Sequence, residues 1–310
     1  MNPAFSVVAF TTLAGAAQGL IVALALAVLG GVPMTPAFLA FGLVAAFVLL
    51  CAGLAASFLH LGRPARAWRA AAMWRTSWLS REVIVLPALI TLVALWWLAI
   101  EAAPPVLARL VLPLAAIAVA ALLWYCTAMI YACLRFIEEW AQPLTLVNFV
   151  LIGLSSGFVL ASALAASAGE SELLRASAPA ALVFTVAACL ARMLSLRRNA
   201  ELKHRSTLQS ATGIRSPKLV QKSMGMSAGS FNTREFFHGR TLALLKNVRR
   251  VFLLGGFVLP ALLVLAALLG APESLWWLAV ASQTIGLPAE RWFFFAQAKH
   301  PQNLYYQVVS

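Results

Sequence analysis

Eight long apolar stretches constrain the fold of this chain more than any other feature. Each is close to the roughly 20 residues that an α-helix needs to cross the hydrocarbon core of a bilayer. Backbone polar groups cannot stay unpaired in lipid, and the alternating pattern of a transmembrane β-strand is absent, so each stretch must be helical. The sequence therefore predicts an all-α integral membrane protein, a single domain over residues 1–310. The predicted spans are 5–29, 37–60, 80–100, 107–131, 145–167, 176–196, 251–270 and 274–296.

The composition agrees with a lipid environment. Hydrophobic residues make up 62% of the chain, charged residues 11%, and the mean hydropathy is +0.89, which lies outside the range of soluble domains. No Lys or Arg precedes Arg63, so the first stretch lacks the basic region of a secretory signal and is expected to remain as a span. The four cysteines show no C-x-x-C spacing. We therefore expect no iron–sulfur or zinc site on this chain.

The basic residues predict the orientation of the chain. When the loops are assigned alternately to two sides, all but two of the 23 Lys and Arg residues collect on one side, the exceptions being Arg109 and Arg175. The larger group includes Arg192, which opens a basic run that ends at Arg250, and also Arg291. Because short cytoplasmic loops retain Lys and Arg, both termini are expected on the cytoplasmic side of a bacterial inner membrane. Topology and anionic lipids then explain the net charge of +13 without a nucleic-acid partner.

A long basic segment, residues 197–247, separates the sixth and seventh predicted spans. It is too polar to cross the membrane and too long for an idle connector. Large aromatic residues stand among its charges, as is typical of protein interfaces. We predict a cytoplasmic docking segment for a partner subunit, and a solvated loop that only sets topology is the alternative. The residues expected to contact the partner are Phe231, Asn232, Arg234, Phe236, Phe237 and His238.

A histidine and a carboxylate at one membrane depth form the strongest candidate site. His60 ends the second predicted span, and Glu82 follows Ser80 and Arg81 at the start of the third. The third span begins on the side where the second ends, so the two side chains are expected at a similar depth. Such groups can exchange the two protons that accompany two-electron quinone chemistry. The sequence predicts a site for ubiquinone or menaquinone between spans two, three and eight near the cytoplasmic face, with Arg63, Arg81 or Arg291 orienting the headgroup.

Two adjacent charges lie in the last predicted span, Glu290 and Arg291. A charge at the centre of a membrane helix costs about 2.5–3.5 kcal/mol on insertion scales, so a partner or a task is expected for each. Neighbouring helical residues point in different directions. We predict that one of the two faces the quinone site and the other the partner subunit. The alternative is a pair at the helix end that reaches the lipid headgroups.

Other functions remain open. Haem needs axial ligands at matched depths, and only His60 of the four histidines lies near the membrane, so no haem is expected. A secondary anion transporter could use His60, Glu82 and arginines as its substrate site, although the two halves show no paired interrupted segments. A membrane tether without a quinone is a third possibility.

Short motifs resemble those of the dimethyl sulfoxide reductase anchor-subunit family. His60-Leu-Gly-Arg-Pro-Ala-Arg66 is similar to its H-L-G-x-P-x-R signature, and Ser80-Arg-Glu82 to its S-x-E. Glu290-Arg291 resembles a Glu and an Arg in its last span. The resemblance implies eight spans, no haem, and a quinol site that includes His60 and Glu82.

The docking segment resembles one branch more closely. Its core, Phe231-Asn-Thr-Arg-Glu-Phe-Phe-His-Gly239, is similar to anchors of cytoplasmic sulfite:quinone oxidoreductases. That branch implies two cytoplasmic partners: a molybdopterin subunit that oxidises sulfite and a ferredoxin-like subunit with iron–sulfur clusters. This chain would then pass the electrons to quinone. A sulfoxide or polysulfide reductase anchor, with electrons leaving quinol, is the alternative within the redox class.

Overall fold

A computed structural model describes residues 1–59, 61, 63–203, 205–220 and 238–301. These residues contain helices and no strand. A 3-10 helix, Pro64–Met73, precedes the third long helix. The α-helices are α1 (Phe5–Leu29), α2 (Pro36–Phe58), α3 (Trp78–Ala102), α4 (Leu107–Ala132), α5 (Pro143–Ala168), α6 (Ser171–Ala200), α7 (Leu208–Thr212), α8 (Leu242–Leu268) and α9 (Ser274–Ala296).

Seven helices of the described chain, α1 to α6 and α8, are long and apolar enough to cross a membrane. The predicted all-helical, multi-pass membrane fold is thereby confirmed. The eighth predicted span coincides with α9, but Gln283, Glu290 and Arg291 make this helix more polar, and it is not among the seven. The eighth crossing and the cytoplasmic position of the termini stay predictions.

The start of α8 differs from the sequence prediction. The helix begins at Leu242, well before the predicted start at 251. Lys246, Arg249 and Arg250 lower the mean hydropathy of its first turns, so the apolar stretch starts later than the helix does. The hydroxyl of Thr241 caps this helix by accepting from the backbone N of Leu244 at 3.2 Å. The last residues of the predicted docking segment are therefore helical.

Close backbone crossings hold the bundle together. Helices α1 and α5 are the most buried, and a Cβ atom on Gly157 would lie only 2.0 Å from the carbonyl carbon of Gly19. Helices α8 and α9 meet in the same way, since a Cβ on Gly286 would lie 2.0 Å from the backbone N of Gly256. At this point α8 forms a π-helical turn, Leu254–Val258. Small residues allow such approaches in membrane bundles, where packing rather than water drives association.

Buried hydrogen bonds between side chains fix α5 against α6. The two helices run antiparallel, so residues later in α5 pair with residues earlier in α6. These hydrogen bonds between helices set the register of the pair. The pairs are Asn148 with Ser195 at 2.7 Å, Ser155 with Thr185 at 2.8 Å, and Ser162 with Ser177 at 2.8 Å.

The helix ends define two faces of the bundle. On one, which we call the Met1 face, the Met1 ammonium donates to the carbonyl oxygen of Ala298 at 3.1 Å. Burial lowers the pKa of this amine to about 6. On the far face, the backbone N of Thr35 donates to the Glu170 carboxylate at 3.0 Å. The loop before α3 and the start of α8 lie on the Met1 face, where the sequence predicted the cytoplasm.

Candidate functional site

Glu82 is a buried carboxyl group inside the bundle. It lies in the second turn of α3 and is only 5% exposed. The hydroxyl of Thr127, on the facing helix α4, donates a hydrogen bond to its Oε1 atom. Among the described residues, no cation forms an ion pair with Glu82. This carboxyl group is therefore held by a neutral partner.

A narrow cleft lies next to this pair, between α1, α4, α5 and α9. Its cavity volume is about 20 Å³, which is room for about one water molecule. Thr127, the partner of Glu82, lies in its wall, and so does Arg291 of α9. The other residues that line it are Phe10, Thr11, Thr12, Ala14, Gly15, Gln18, Trp124, Phe149, Ile152, Gly153, Ser156 and Leu287.

Two side chains in the cleft wall have donors without an acceptor in the described part of the chain. They are Trp124, with its buried indole Nε1, and Arg291, with its buried guanidinium Nη1. The neighbouring hydroxyl groups of Thr11, Thr12 and Ser156 instead donate to carbonyl oxygens of their own helices. Buried polar groups normally find partners. A group that brings acceptor oxygens would therefore satisfy these two donors.

Behind the cleft, three charged side chains form a buried ion network. Arg192 of α6 places its Nε atom 2.7 Å from Oε1 of Glu290, and Nε of Arg291 lies 3.6 Å from Oε2. The three side chains are 2%, 0% and 3% exposed in that order. Two guanidiniums thus share one carboxylate in a region that excludes water.

An aromatic cluster closes the Met1 end of the site. The Arg291 guanidinium carbon lies 3.8 Å from the centre of the Phe149 ring, which suits a cation–π contact. The indole of Trp140 donates to the carbonyl oxygen of Phe294 at 3.1 Å. Ring contacts join the members of the cluster, which are Tyr131, Trp140, Phe149, Phe294 and Phe295.

The other predicted quinone-site residues are dispersed around this centre. His60 lies outside the described residues, so its pairing with Glu82 stays a prediction. Helix α2 ends at Phe58, two residues before it. Ser80 is buried just before Glu82 in the first turns of α3, and Arg63 is exposed.

Arg81 is engaged by the loop rather than by the cleft. Its guanidinium donates to the carbonyl oxygens of Trp74 and Arg75 at 2.9 and 2.8 Å. The guanidinium carbon also lies 4.0 Å from the centre of the Trp78 ring. These contacts brace the start of α3, which carries Glu82.

Glu290 and Arg291 differ from both sequence interpretations. Neither reaches the headgroups, because both are buried. Arg291 lines the cleft, whereas Glu290 faces Arg192 of α6 and not an outer surface. Helix α9 thus supplies the cleft with a cation and supplies α6 with its counter-ion.

Of the predicted docking residues, only His238 belongs to the described part of the chain. It is buried, its Nδ1 accepts from the backbone N of Arg240 at 3.0 Å, and burial lowers its pKa. The residues that fall outside are Phe231, Asn232, Arg234, Phe236 and Phe237. Within the described ranges, no three His, Cys, Asp or Glu side chains gather where they could hold a metal ion.

Sequence reasoning missed Arg192, Thr127 and Trp124. Arg192 was counted with the loop cations, yet it lies inside α6 and its side chain is buried. Apolar neighbours on both sides, from Leu190 to Leu194, were the signal that could have identified it as a membrane charge in need of a partner. The sequence gives no such signal for Thr127 and Trp124, because both are uncharged and a single polar group is common in an apolar helix.

Comparisons with known proteins identify relatives along the whole chain. Residues 1–278 match the family described as DMSO reductase anchor subunit (DmsC). Among curated proteins, a subunit of the sulfite dehydrogenase of Allochromatium vinosum is 48% identical over 326 residues, and the alignment covers 100% of both chains. No solved structure matches.

Proposed function

Because this chain belongs to the DMSO reductase anchor subunit family, we propose that it is the quinone-reactive membrane anchor of an oxidoreductase complex. Its relative is a subunit of a sulfite dehydrogenase, which supports sulfite as the source of the electrons. In this proposal the chain lies in the bacterial inner membrane with the Met1 face toward the cytoplasm. An iron–sulfur subunit and a molybdopterin subunit bind that face, with residues 197–247 as the docking segment.

The single observation that carries the quinone site is the cleft itself. It combines a buried carboxyl group behind Thr127 with two buried donors that lack acceptors, Trp124 and Arg291. A quinone ring carries a carbonyl oxygen at each end and is otherwise apolar, which matches donors set in an apolar wall. Since the open space is narrow, side chains must part to admit the ring. We propose that the cleft binds the headgroup in this way.

The chain supplies positions for protons rather than redox centres. A bound quinone accepts two electrons from the partner subunits and two protons. Glu82 takes up and releases a proton next to the cleft, and the Thr127 hydroxyl, in the cleft wall, orients its carboxyl group. Trp124 and Arg291 donate to the ligand oxygens. His60, which the sequence predicts at the same depth, is proposed as the second proton-handling group.

The test is quinone reduction by membranes or purified complex that contain the Glu82→Gln variant. The amide keeps the shape and the contact with Thr127 but cannot release a proton, so the rate is expected to fall about 10²–10⁴-fold, as for loss of a general acid–base group. The matched control is Glu101→Gln, which changes an exposed glutamate at the other end of α3. Unchanged turnover in Glu82→Gln with an intact complex would exclude the assignment.

A further inference from the structure

The buried charges beside the cleft do not cancel. Arg192 and Arg291 face a single carboxylate, that of Glu290, and within the described chain no other acidic side chain forms an ion pair with either guanidinium. All three side chains are at least nine-tenths buried. The network thus carries one positive charge in excess. In a low-dielectric interior this charge acts on its surroundings with little screening.

The excess charge falls on Arg291 because of the geometry. Glu290 lies 2.7 Å from Arg192 but 3.6 Å from Arg291, a distance too long for a hydrogen bond. Within the described chain, both guanidiniums have buried nitrogens without a hydrogen-bond partner, but only Arg291 lines the cleft. Helix α6 therefore supplies the cation that neutralises Glu290, and α9 presents the other to the ligand.

We propose that Arg192 is a positioning residue that determines ligand selectivity: by holding Glu290 it leaves Arg291 as an uncompensated cation, so that the cleft prefers a quinone-type ligand with a negatively charged oxygen. This inference rests on the proposed function, because it names the ligand form that the same cleft favours. Without Arg192, Glu290 would turn to Arg291 and cancel the charge that the ligand meets.

The excess charge changes in opposite directions in two variants of the same ion pair, so the affinity for an anionic ligand should also change in opposite directions. Arg192→Gln removes the excess positive charge, and Glu290→Gln doubles it. The double variant restores a single excess charge on Arg291. Arg192→Lys keeps the charge throughout. A purely structural role predicts something different, namely that both single variants damage the site and that the double variant is no better.

The experiment measures equilibrium binding by tryptophan-fluorescence quenching of the full chain in detergent. The two probes are a hydroxynaphthoquinone that is ionised at neutral pH and its uncharged methyl ether. The wild type and Arg192→Lys should prefer the ionised probe. Arg192→Gln should bind that probe about tenfold or more weakly, the scale of a charged hydrogen bond, with the methyl ether little changed. Glu290→Gln should bind it more tightly, and the double variant should return toward the wild type.

The matched control is the exposed ion pair on the same helix as Arg192, formed by Arg175 with Glu172. Arg175→Gln and Glu172→Gln change the same charges where solvent screens them, and should leave both affinities unchanged. Thermal melts of each variant establish that it is folded. Parallel weakening of both probes in Arg192→Gln and Glu290→Gln, or a wild type without charge preference, overturns the selectivity proposal and leaves the quinone site standing. A wild type that binds neither probe overturns both.

Discussion

Glu82 and Glu290 are two buried glutamates in one bundle, and their partners differ. Glu82 is 5% exposed and accepts a hydrogen bond from the neutral hydroxyl of Thr127. Glu290 is 0% exposed and stands between the guanidiniums of Arg192 and Arg291. In the proposed function, the same side chain exchanges protons in one place and is a fixed counter-ion in the other. The neighbouring helix decides which role each plays.

This difference separates stability from chemistry. A carboxylate that stands between two buried cations cannot be removed without leaving both of them without a counter-ion. A carboxyl group held by a hydroxyl can be replaced by an amide of the same shape at small structural cost. The helix pair α6 and α9 thus carries the structural charge, and the pair α3 and α4 carries the carboxyl group to which we assign the exchangeable proton.

The largest effect is expected from Glu290→Leu. It strands Arg192 and Arg291 in an apolar environment, and breaking a buried ion pair typically costs about 3–5 kcal/mol. Thermal unfolding of the purified chain should therefore show a large loss of stability. Glu172→Leu is the control on exposed surface, where the loss of a pair costs about 0–1 kcal/mol. Equal losses in the two variants would contradict the role of Glu290 as a buried counter-ion.

A smaller effect, on turnover, is expected from Thr127→Val. The change removes the hydrogen bond to Glu82 while keeping the volume, so the carboxyl group loses its orientation toward the cleft. A hydrogen bond to a charged group is worth about 1.5–3 kcal/mol, which corresponds to roughly 10–100-fold in rate. Steady-state quinone reduction measures it. Thr185→Val removes a buried hydroxyl that bonds to Ser155 away from the cleft, and a similar loss of rate there would argue against a specific role for Thr127.

The smallest effect is expected from Trp124→Phe. Its indole donor has no partner in the described chain, so the variant should keep its stability and lose only the bond to the ligand, about 0.5–1.5 kcal/mol or several-fold in affinity. Trp96→Phe is the matched control, for which the opposite result is expected. The Trp96 indole donates to the carbonyl oxygen of Ala108 at 3.0 Å, so its loss should lower the melting temperature and leave inhibitor affinity unchanged. The reverse pattern would remove Trp124 from the site.

Most of the fold could be predicted from apolar length alone. Backbone hydrogen bonding in lipid leaves helices as the only solution for stretches such as 5–29, and the observed helix Phe5–Leu29 has the same bounds. The start of α8 could not be predicted that way. Its charged first turns, with Lys246 and Arg249, resemble a loop in a hydropathy average although they form a helix with one polar side.

The site was only partly predictable for a related reason. Motifs singled out Glu82 and Arg291 because charges in apolar segments are conspicuous. The partners of those charges are distant in sequence, since Thr127 and Arg192 come from α4 and α6. Only the packing of the helices shows that Arg192 belongs to Glu290, and a count of loop charges assigned it to the surface. Spacing along the chain carries no information about such pairs.

Photolabelling with an azidoquinone would test most directly whether the cleft between α1, α4, α5 and α9 receives the headgroup. We expect labelled peptides from Phe10–Gln18, Trp124–Thr127 and Phe149–Ser156, with labelling suppressed by excess quinone. Saturable labelling confined to the far face, around Arg109 and Val32, where another cleft opens, would contradict a headgroup site at Glu82 and Arg291.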